Sequence, residues 1–381
     1  MNKNCVLCDC ELTKENNSKE HVIPNAIGGR KKVKNFLCIP CNNKCGDKWD
    51  KALSEQLSIF SLFFNISRER GAVQPKVLQN SNGKSIIFYP DGSKSIGKPD
   101  CDKDIIGETL RYTMFARDIK EAKKMNNGFL KRHNNKKVKT QATYIRYIPN
   151  DPVHITLDFG GADSGRSIVK SALALVVDSG IDIHFCEEAL NYLTNDEAEP
   201  SFGFYYSVDV VLNRIEGMPF HCVYIKGDPK SGLLLGYVEL FGHRRMLLCL
   251  SKNYLGDFFE KKYAIDPTTG NEIDLEINLD FSLDDIEQCY KNNLIFSEVR
   301  EKAFSNIINR ALRHREEQSF ESEIRDSIKY AFQKSGATEN ECLTDEQKKK
   351  FFRLFSDRIE KYIIGINSNR DLVTHREDIE L

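Results

Sequence analysis

Residues 5–50 contain two sets of side chains whose types and spacing could do chemistry. The first set is two Cys-x-x-Cys pairs, Cys5 with Cys8 and Cys38 with Cys41. Thiolate sulfurs bind Zn²⁺ tetrahedrally, and a Cys-x-x-Cys pair presents two of them at a suitable separation. The two pairs together therefore predict a structural zinc site with four sulfur ligands.

Other cysteines offer an alternative set of ligands for this site. Cys10 and Cys45 are close enough in sequence to replace one of the four ligands. We favour the first set because both of its pairs have the two-residue gap typical of zinc sites. Six more cysteines occur singly, mostly among apolar residues, and are predicted to be small buried side chains: Cys101, Cys186, Cys222, Cys249, Cys289 and Cys342.

The second set lies between the two cysteine pairs and begins with Glu20 and His21. Hydrolysis of a phosphodiester needs a water molecule made nucleophilic, and an imidazole with a pKa near neutrality is a suitable base. It also needs positive charge beside the phosphate. A hard ion such as Mg²⁺ or Mn²⁺ supplies that charge and prefers carboxylate and amide oxygens. His21 is therefore a candidate base, and Glu20 a candidate ligand.

The order of these elements resembles the HNH (ββα-metal) endonuclease family. The resemblance covers residues 5–53 and runs through CxxC, EHVIP, GG, Asn-aromatic-Leu-CxxCN, Gly and Asp. It implies a zinc-supported ββα fold, in which a hairpin carries the Glu-His pair and a helix begins near the last cysteine. It also implies cleavage of DNA to leave a 5′-phosphate and a 3′-hydroxyl.

The resemblance also assigns roles to single residues. His21 matches the general base, Glu20 the adjacent acidic metal ligand, Asn35 the residue that braces the loop, and Asn42 the last ligand of the catalytic ion. Many relatives have Asp where this chain has Glu20. Asn43 is an alternative ligand to Asn42, which we prefer because it directly follows Cys41. A structural role for His21 and a turn role for Asn35 are the alternatives.

Two more residues near the second cysteine pair have simpler predicted roles. Asp50 is predicted to form hydrogen bonds, not to be a further metal ligand, and Trp49 to pack inside the unit. Basic residues around the hairpin are predicted to contact DNA phosphates: Arg30, Lys31, Lys32, Lys44 and Lys48. The lysine-rich stretch 120–139 is either another phosphate-contacting patch or a solvated loop.

The bulk composition is that of an ordinary globular protein. The chain has 381 residues, of which 40% are hydrophobic. Its net charge of −1 excludes a polycation that binds nucleic acid with its whole surface. It opens with a polar segment and has no apolar run long enough to cross a membrane, so a cytoplasmic location is expected. No glycine-rich phosphate loop indicates ATP use.

The pattern along the chain predicts an α+β protein in three parts: the HNH domain at 1–65, a mostly antiparallel α+β domain at 66–282, and a helical region at 283–381. Helices are predicted at 52–64, 104–124 and 166–178, and a hairpin at 233–251. The C-terminal region shows two amphipathic helices, the second capped by Thr344, whose apolar faces pack in a core or form a dimer.

Together these features predict a metal-dependent endonuclease that requires structural zinc and one catalytic divalent ion. One HNH centre cuts one strand, so a duplex break would need a homodimer or two encounters. By analogy to the family, the activity would serve restriction or phage defence, controlled by an activating ligand or protein. The competing hypothesis is a zinc-bearing nucleic-acid-binding or sensor protein that does not cut. An RNA or structured DNA substrate is a third.

Overall fold

The computed structural model of the chain describes residues 3–106, 109–117, 119–132, 142–148, 152–338, 342–368 and 372–379. It is an α+β structure whose sheets are antiparallel. No helix in these ranges has the length and apolar character needed to cross a bilayer.

The first segment, up to residue 73, is a short hairpin followed by helices. Its elements are β1 (Glu20–His21), β2 (Lys32–Val33), α1 (Ile39–Cys45), α2 (Lys51–Gln56) and α3 (Ser58–Phe63). A π-helical turn, Gly46–Asp50, joins α1 to α2, and the helix predicted over 52–64 is interrupted at Leu57. Trp49 is buried, as its predicted packing role requires.

The second segment is largely strands. In order it contains β3 (Lys76–Asn80), β4 (Ser85–Phe88), β5 (Lys94–Ile96), β6 (Asp100–Ile106), β7 (Thr109–Phe115), α4 (Ile119–Arg132), β8 (Ala142–Ile148) and β9 (Val153–His154). The helix predicted over 104–124 is wrong, because β6 and β7 pair as an antiparallel hairpin and the helix begins only at Ile119. The residues Asp100–Ile106 show no clear alternation of polar and apolar side chains. The sequence there does not distinguish the two-residue period of a strand from the roughly 3.6-residue period of a helix.

The rest of the described chain, from residue 157 onward, holds the largest sheet and the longest helices. They contain α5 (Ala162–Asp178), α6 (Glu187–Thr194), β10 (Phe202–Phe204), β11 (His221–Asp228), β12 (Leu233–Leu240), β13 (Arg244–Ser251), β14 (Phe259–Ile265), α7 (Leu283–Tyr290), α8 (Ser297–Ser335), α9 (Asp345–Ser368) and β15 (Leu372–Ile379). The helix predicted at 166–178 and the hairpin predicted at 233–251 are confirmed.

The chain divides into two compact units that are discontinuous in sequence. One unit consists of Met1–Val73 with Leu157–His314, and the other of Gln74–Thr156 with Arg315–Leu381. The first unit therefore joins the cysteine-rich segment to residues more than 80 positions later. The division into consecutive domains at residues 65 and 282 stays a prediction.

The core of the first unit is a five-stranded antiparallel sheet in the order β10-β13-β12-β11-β14. Every residue of β12 and β13 is buried, since both faces of these strands are covered. One face packs on an apolar cluster that includes Leu275, Leu279 and Ile286. On the other face lies α5, which has thirteen consecutive buried residues, and a Cβ on Gly236 of β12 would touch Ala172 at 3.6 Å.

The second unit holds the four-stranded sheet β5-β4-β3-β9, the hairpin β6-β7, the two-stranded sheet β8-β15, and most of the helical C-terminal region. The predicted cap of α9 is confirmed: the Gln347 amide N–H donates to Thr344 Oγ1 at 3.3 Å, and the Thr344 N–H donates to Gln347 Oε1 at 2.9 Å. These reciprocal bonds satisfy free N–H groups at the start of the helix.

The single cysteines follow the prediction in part. Cys186, Cys222, Cys249 and Cys289 are buried. The prediction is wrong for Cys101 and Cys342, which are exposed. Cys101 lies in β6, where Asp100, Asp102 and Lys103 are also exposed, so this part of the strand has no buried face.

Candidate active site and zinc site

The four cysteines predicted to bind zinc converge. The sulfurs of Cys5, Cys8, Cys38 and Cys41 all lie within 4.8 Å of one another, and the sulfurs of Cys8 and Cys38 are 3.7 Å apart. A tetrahedron with Zn–S bonds of about 2.3 Å has edges of roughly 3.8 Å. The donor set therefore fits structural zinc, and neither Cys10 nor Cys45 belongs to the cluster.

The hairpin that follows the first cysteine pair is tightly built. β1 and β2 pair so that Glu20 is opposite Val33 and His21 is opposite Lys32. The chain turns between them at Gly28, which has a φ of +100°, a region that glycine adopts without strain. A Cβ on Gly29 would lie 1.8 Å from the Ile23 carbonyl oxygen, so a larger residue could not fit there. This turn places His21 at the edge of an open cavity.

That cavity has a volume of about 320 Å³ and collects residues from several segments. Its polar lining includes Asp50 and the three predicted site residues Glu20, His21 and Asn42. It also includes Lys32, which was predicted to contact DNA, and three residues that the sequence analysis did not single out: Lys19, Asn25 and Arg70. The His21 side chain keeps 20% of its surface exposed, so a substrate can reach its ring. An imidazole, carboxylate and amide oxygens, and cations thus share one opening.

A buried lysine from α5 contacts two of the acidic groups. Lys170 is 1% exposed, and its ammonium bonds Glu20 Oε1 and, at 2.8 Å, Asp50 Oδ2. Ser167 Oγ donates to the other Asp50 oxygen at 2.6 Å. Burial alone would lower the pKa of the Lys170 ammonium, but the charges of Asp50 and Glu20 outweigh it and raise the pKa. Asp50 is thus a hydrogen-bonding residue, as predicted.

The imidazole of His21 contacts a carboxylate from the segment after α3. Its Nε2 lies 3.2 Å from Glu69 Oε2, and the same oxygen lies 2.5 Å from Lys32 Nζ. Lys32 and His21 both donate to this carboxylate and hold the pKa of Glu69 below its usual range. Glu69 is therefore ionised at neutral pH.

The two adjacent asparagines take different positions. Asn42 lines the cavity, whereas Asn43 is exposed and is not part of the lining. Asn35 lies outside the cavity, at the turn after β2, with a φ of +59°. Its backbone N–H donates to Asn17 Oδ1 at 3.0 Å, and its own Oδ1 accepts from Asn17 Nδ2 at 2.6 Å. Asn35 therefore joins β2 to the segment before β1.

The basic residues predicted to contact DNA are mostly engaged within the protein. Arg30 donates to Ser67 Oγ at 2.5 Å, Lys31 pairs with Asp178 at 3.1 Å, and Lys48 pairs with Asp163 at 3.4 Å. Lys32 binds Glu69 and also lines the cavity. Lys44 is exposed near the end of α1 and has no hydrogen bond or ion pair among the described residues.

The lysine-rich stretch 120–139 is described only in its first part. Within α4, Lys120, Lys123, Lys124 and Lys131 are exposed, consistent with either a solvated surface or a phosphate-contacting one. Lys136, Lys137 and Lys139 lie outside the described residues.

Sequence reasoning missed Lys170, Glu69 and Arg70. A signal for the first was present, because Lys170 interrupts the apolar run from Ile168 to Val176, and a buried lysine needs a carboxylate partner. Glu69 and Arg70 stand in the charged run Arg68-Glu69-Arg70, which nothing local distinguishes from a solvated loop. The path of the chain after α3 brings Arg70 to the cavity and Glu69 to His21.

Comparison with known proteins identifies a family for part of the chain. Residues 5–58 match the model of a family described as HNH endonuclease. This segment is an HNH endonuclease domain. The match includes the cysteine cluster, the hairpin with His21, and Asn42, but not Glu69, Arg70 or Lys170. No curated protein and no solved structure matches the chain.

Proposed function

We propose that the chain is a metal-dependent endonuclease that hydrolyses DNA phosphodiester bonds at the cavity around His21. The observation that carries the proposal is the convergence of His21, Glu20 and Asn42 in one open cavity within the segment that matches the HNH family. A purely structural zinc unit would not need a solvent-accessible histidine beside a carboxylate and an amide.

In the proposed reaction, His21 accepts a proton from the attacking water. Lys32 and Arg70, which line the cavity, would contact the phosphate oxygens, and Lys19 extends this positive lining. These cations bind the backbone without reading bases, so they would supply affinity and not sequence preference. Exposed Lys44 would add a phosphate contact on α1.

The donor set of the cavity fits a hard divalent ion, Mg²⁺ or Mn²⁺. Glu20 offers a carboxylate, of which Lys170 takes Oε1, and Asn42 offers an amide oxygen. When bound there, the ion would neutralise charge on the scissile phosphate and the leaving oxygen. Because Lys170 already neutralises part of the negative charge at Glu20 and Asp50, we expect this ion to bind more weakly than the zinc.

The first test is plasmid nicking in the presence of Mg²⁺ or Mn²⁺. We expect the wild-type protein to convert supercoiled DNA to nicked circles and His21→Ala to be slower by about 10²–10⁴-fold, the usual contribution of a general base. His184→Ala is the matched control, since that histidine is exposed on the surface and pairs only with Asp182 among the described residues. Equal loss of supercoiled DNA with wild type and His21→Ala would refute the assignment.

The same pair of proteins tests the finer parts of the proposal. Single-stranded DNA and RNA added as substrates separate DNA cleavage from RNA cleavage. For the proposed role in restriction or phage defence, expression of wild type in a bacterial host should reduce phage plaques, and His21→Ala should not. Binding to DNA without any cleavage by either protein would favour the non-catalytic zinc-bearing alternative.

A further inference from the structure

One carboxylate from outside the matched segment reaches the proposed base. Glu69 Oε2 lies 3.2 Å from His21 Nε2. A carboxylate can only accept hydrogen bonds, so in this contact Nε2 must carry the hydrogen. We propose that Glu69 is a positioning residue that holds His21 as the Nε2–H tautomer, which leaves the lone pair of Nδ1 to accept the proton of water. This inference rests on the proposed function of the cavity.

The hairpin supplies a second donor that keeps Glu69 in its acceptor form. Lys32 stands directly opposite His21 in the β1-β2 pair, and its ammonium bonds the same Glu69 oxygen at 2.5 Å. One carboxylate oxygen thus accepts from the two cross-strand neighbours, which orients both. Lys32 therefore acts on His21 through Glu69 in addition to lining the cavity.

The backbone around Glu69 is attached to the hairpin as well. The Glu69 N–H donates to Asn25 Oδ1 at 3.0 Å, and Asn25 Nδ2 donates to the Arg70 carbonyl at 3.4 Å. Two residues earlier, Ser67 Oγ accepts from Arg30 at 2.5 Å. The segment 67–70 is therefore tied to the turn between β1 and β2 at several points, so the position of the carboxylate does not depend on its side chain alone.

The opposite role for Glu69 makes an opposite prediction. If Nε2 were the nitrogen that accepts the proton, Glu69 would obstruct it, and removal of the carboxylate would speed the reaction. If Nδ1 accepts the proton, removal of the carboxylate frees the ring to rotate and to exchange tautomers, and the reaction slows. The sign of the effect separates the two roles.

The kinetic experiment compares wild type with Glu69→Gln, which keeps the shape of the side chain but is no longer an obligatory acceptor. We expect kcat for DNA cleavage with Mg²⁺ to fall about 10–100-fold, the usual effect of removing a group that orients a functional histidine. KM should not rise, because loss of the Glu69 carboxylate releases Lys32, a proposed phosphate contact, from its ion pair. Glu55→Gln, an exposed glutamate 4.0 Å from Lys51, is the matched control and should leave both constants unchanged.

A spectroscopic experiment tests the contact without activity. Long-range ¹H–¹⁵N spectra of the zinc-loaded protein labelled at its eight histidines report which ring nitrogen carries the hydrogen, and His21→Ala assigns the signal. We expect neutral His21 to be the Nε2–H form in wild type and a mixture of forms in Glu69→Gln. A wild-type hydrogen on Nδ1, or an unchanged or higher kcat in Glu69→Gln, would overturn the inference.

The two experiments keep the two proposals apart. If His21→Ala loses cleavage while Glu69→Gln keeps it, the positioning role is wrong and the proposed function stands. If wild type itself does not cleave, the proposed function fails, and the tautomer of His21 still decides whether Glu69 holds the ring.

Discussion

The HNH domain is held together in two different ways. Its cysteine cluster, formed by Cys5, Cys8, Cys38 and Cys41, draws all its ligands from two short pairs within the domain. Its inner face, defined here as the side that contacts residues beyond 157, depends on the rest of the unit. There, Lys170 bonds Glu20 and Asp50, His221 bonds the Ile27 carbonyl at 2.7 Å, and Tyr263 bonds the backbone after Gly29.

The difference teaches that local metal binding and distant packing stabilise the same site by separate means. A chelator should weaken the cysteine cluster, because it would remove the zinc that the four thiolates are expected to bind. A chelator should not act directly on the inner face, because its partners there are side chains of α5, β11 and β14. The predictions below change one of these two regions while leaving the other intact, from the largest expected effect to the smallest.

The largest effect should come from loss of zinc. We expect Cys38→Ser to hold less than one zinc per chain and to lose folding of the domain, since zinc in such sites contributes on the order of 10 kcal/mol. Metal analysis and thermal unfolding measure both results. Cys10→Ser is the matched control, because Cys10 is close in sequence but outside the cluster. Loss of zinc in Cys10→Ser, or full zinc in Cys38→Ser, would contradict the ligand set.

An intermediate effect should follow removal of the buried cation. Lys170→Met leaves the Glu20 and Asp50 carboxylates without their counterion, and we expect the free energy of unfolding to fall by about 3–5 kcal/mol. Millimolar Mg²⁺ should stabilise this variant more than wild type, because a divalent ion can then neutralise both carboxylates. Denaturant unfolding of the zinc-loaded proteins, with and without Mg²⁺, measures both effects.

Two controls define the result for Lys170. Lys48→Met removes an exposed lysine that pairs with Asp163, and its cost should not exceed about 1 kcal/mol. The triple variant Lys170→Met, Glu20→Gln, Asp50→Asn removes the unpaired charges and should recover part of the lost stability. A Lys170→Met protein as stable as wild type would mean that the two carboxylates are not held as charges.

The smallest effect should be a pH dependence from His221. Burial lowers the pKa of His221 from 6.5 to about 4, and the hydrogen bond to Ile27 only partly opposes it. The unfolded histidine therefore takes up a proton below about pH 6.5 while the folded one stays neutral until about pH 4, so stability is present at neutral pH and falls with acidification. We expect His221 to lower the free energy of unfolding by about 2 kcal/mol when the pH falls from 7 to 5.

The comparison with His221→Gln isolates that contribution. Glutamine does not titrate, so the stability difference between wild type and variant should shrink by about 2 kcal/mol on going from pH 7 to pH 5. The buried His243, whose pKa burial also lowers, is present in both proteins and cancels. Denaturant unfolding in buffers containing zinc measures the difference. Parallel pH curves would show that His221 does not contribute.

Much of the fold could be predicted where the pattern was strong. The buried strand Leu233–Leu240 and the helix predicted at 166–178, which spans Ala162–Asp178, were found because long apolar runs with clear boundaries have few alternatives. The helix predicted over 104–124 failed because a weakly patterned hairpin, β6 with β7, is stabilised by pairing that no local window contains. The discontinuous first unit, which joins residues 1–73 to 157–314, also has no local signal.

The sequence alone determined which four cysteines converge and the order of the HNH elements, because both depend on short spacings within 50 residues. It also singled out His21, Glu20 and Asn42, which the fold brings to one cavity. Only the tertiary structure decided that Lys170 neutralises Glu20 and that Glu69 bonds His21. The physical reason is that a buried charge or an imidazole selects its partner by distance in space. Residues of α5 and of the segment after α3 reach Glu20 and His21 only once the chain has folded.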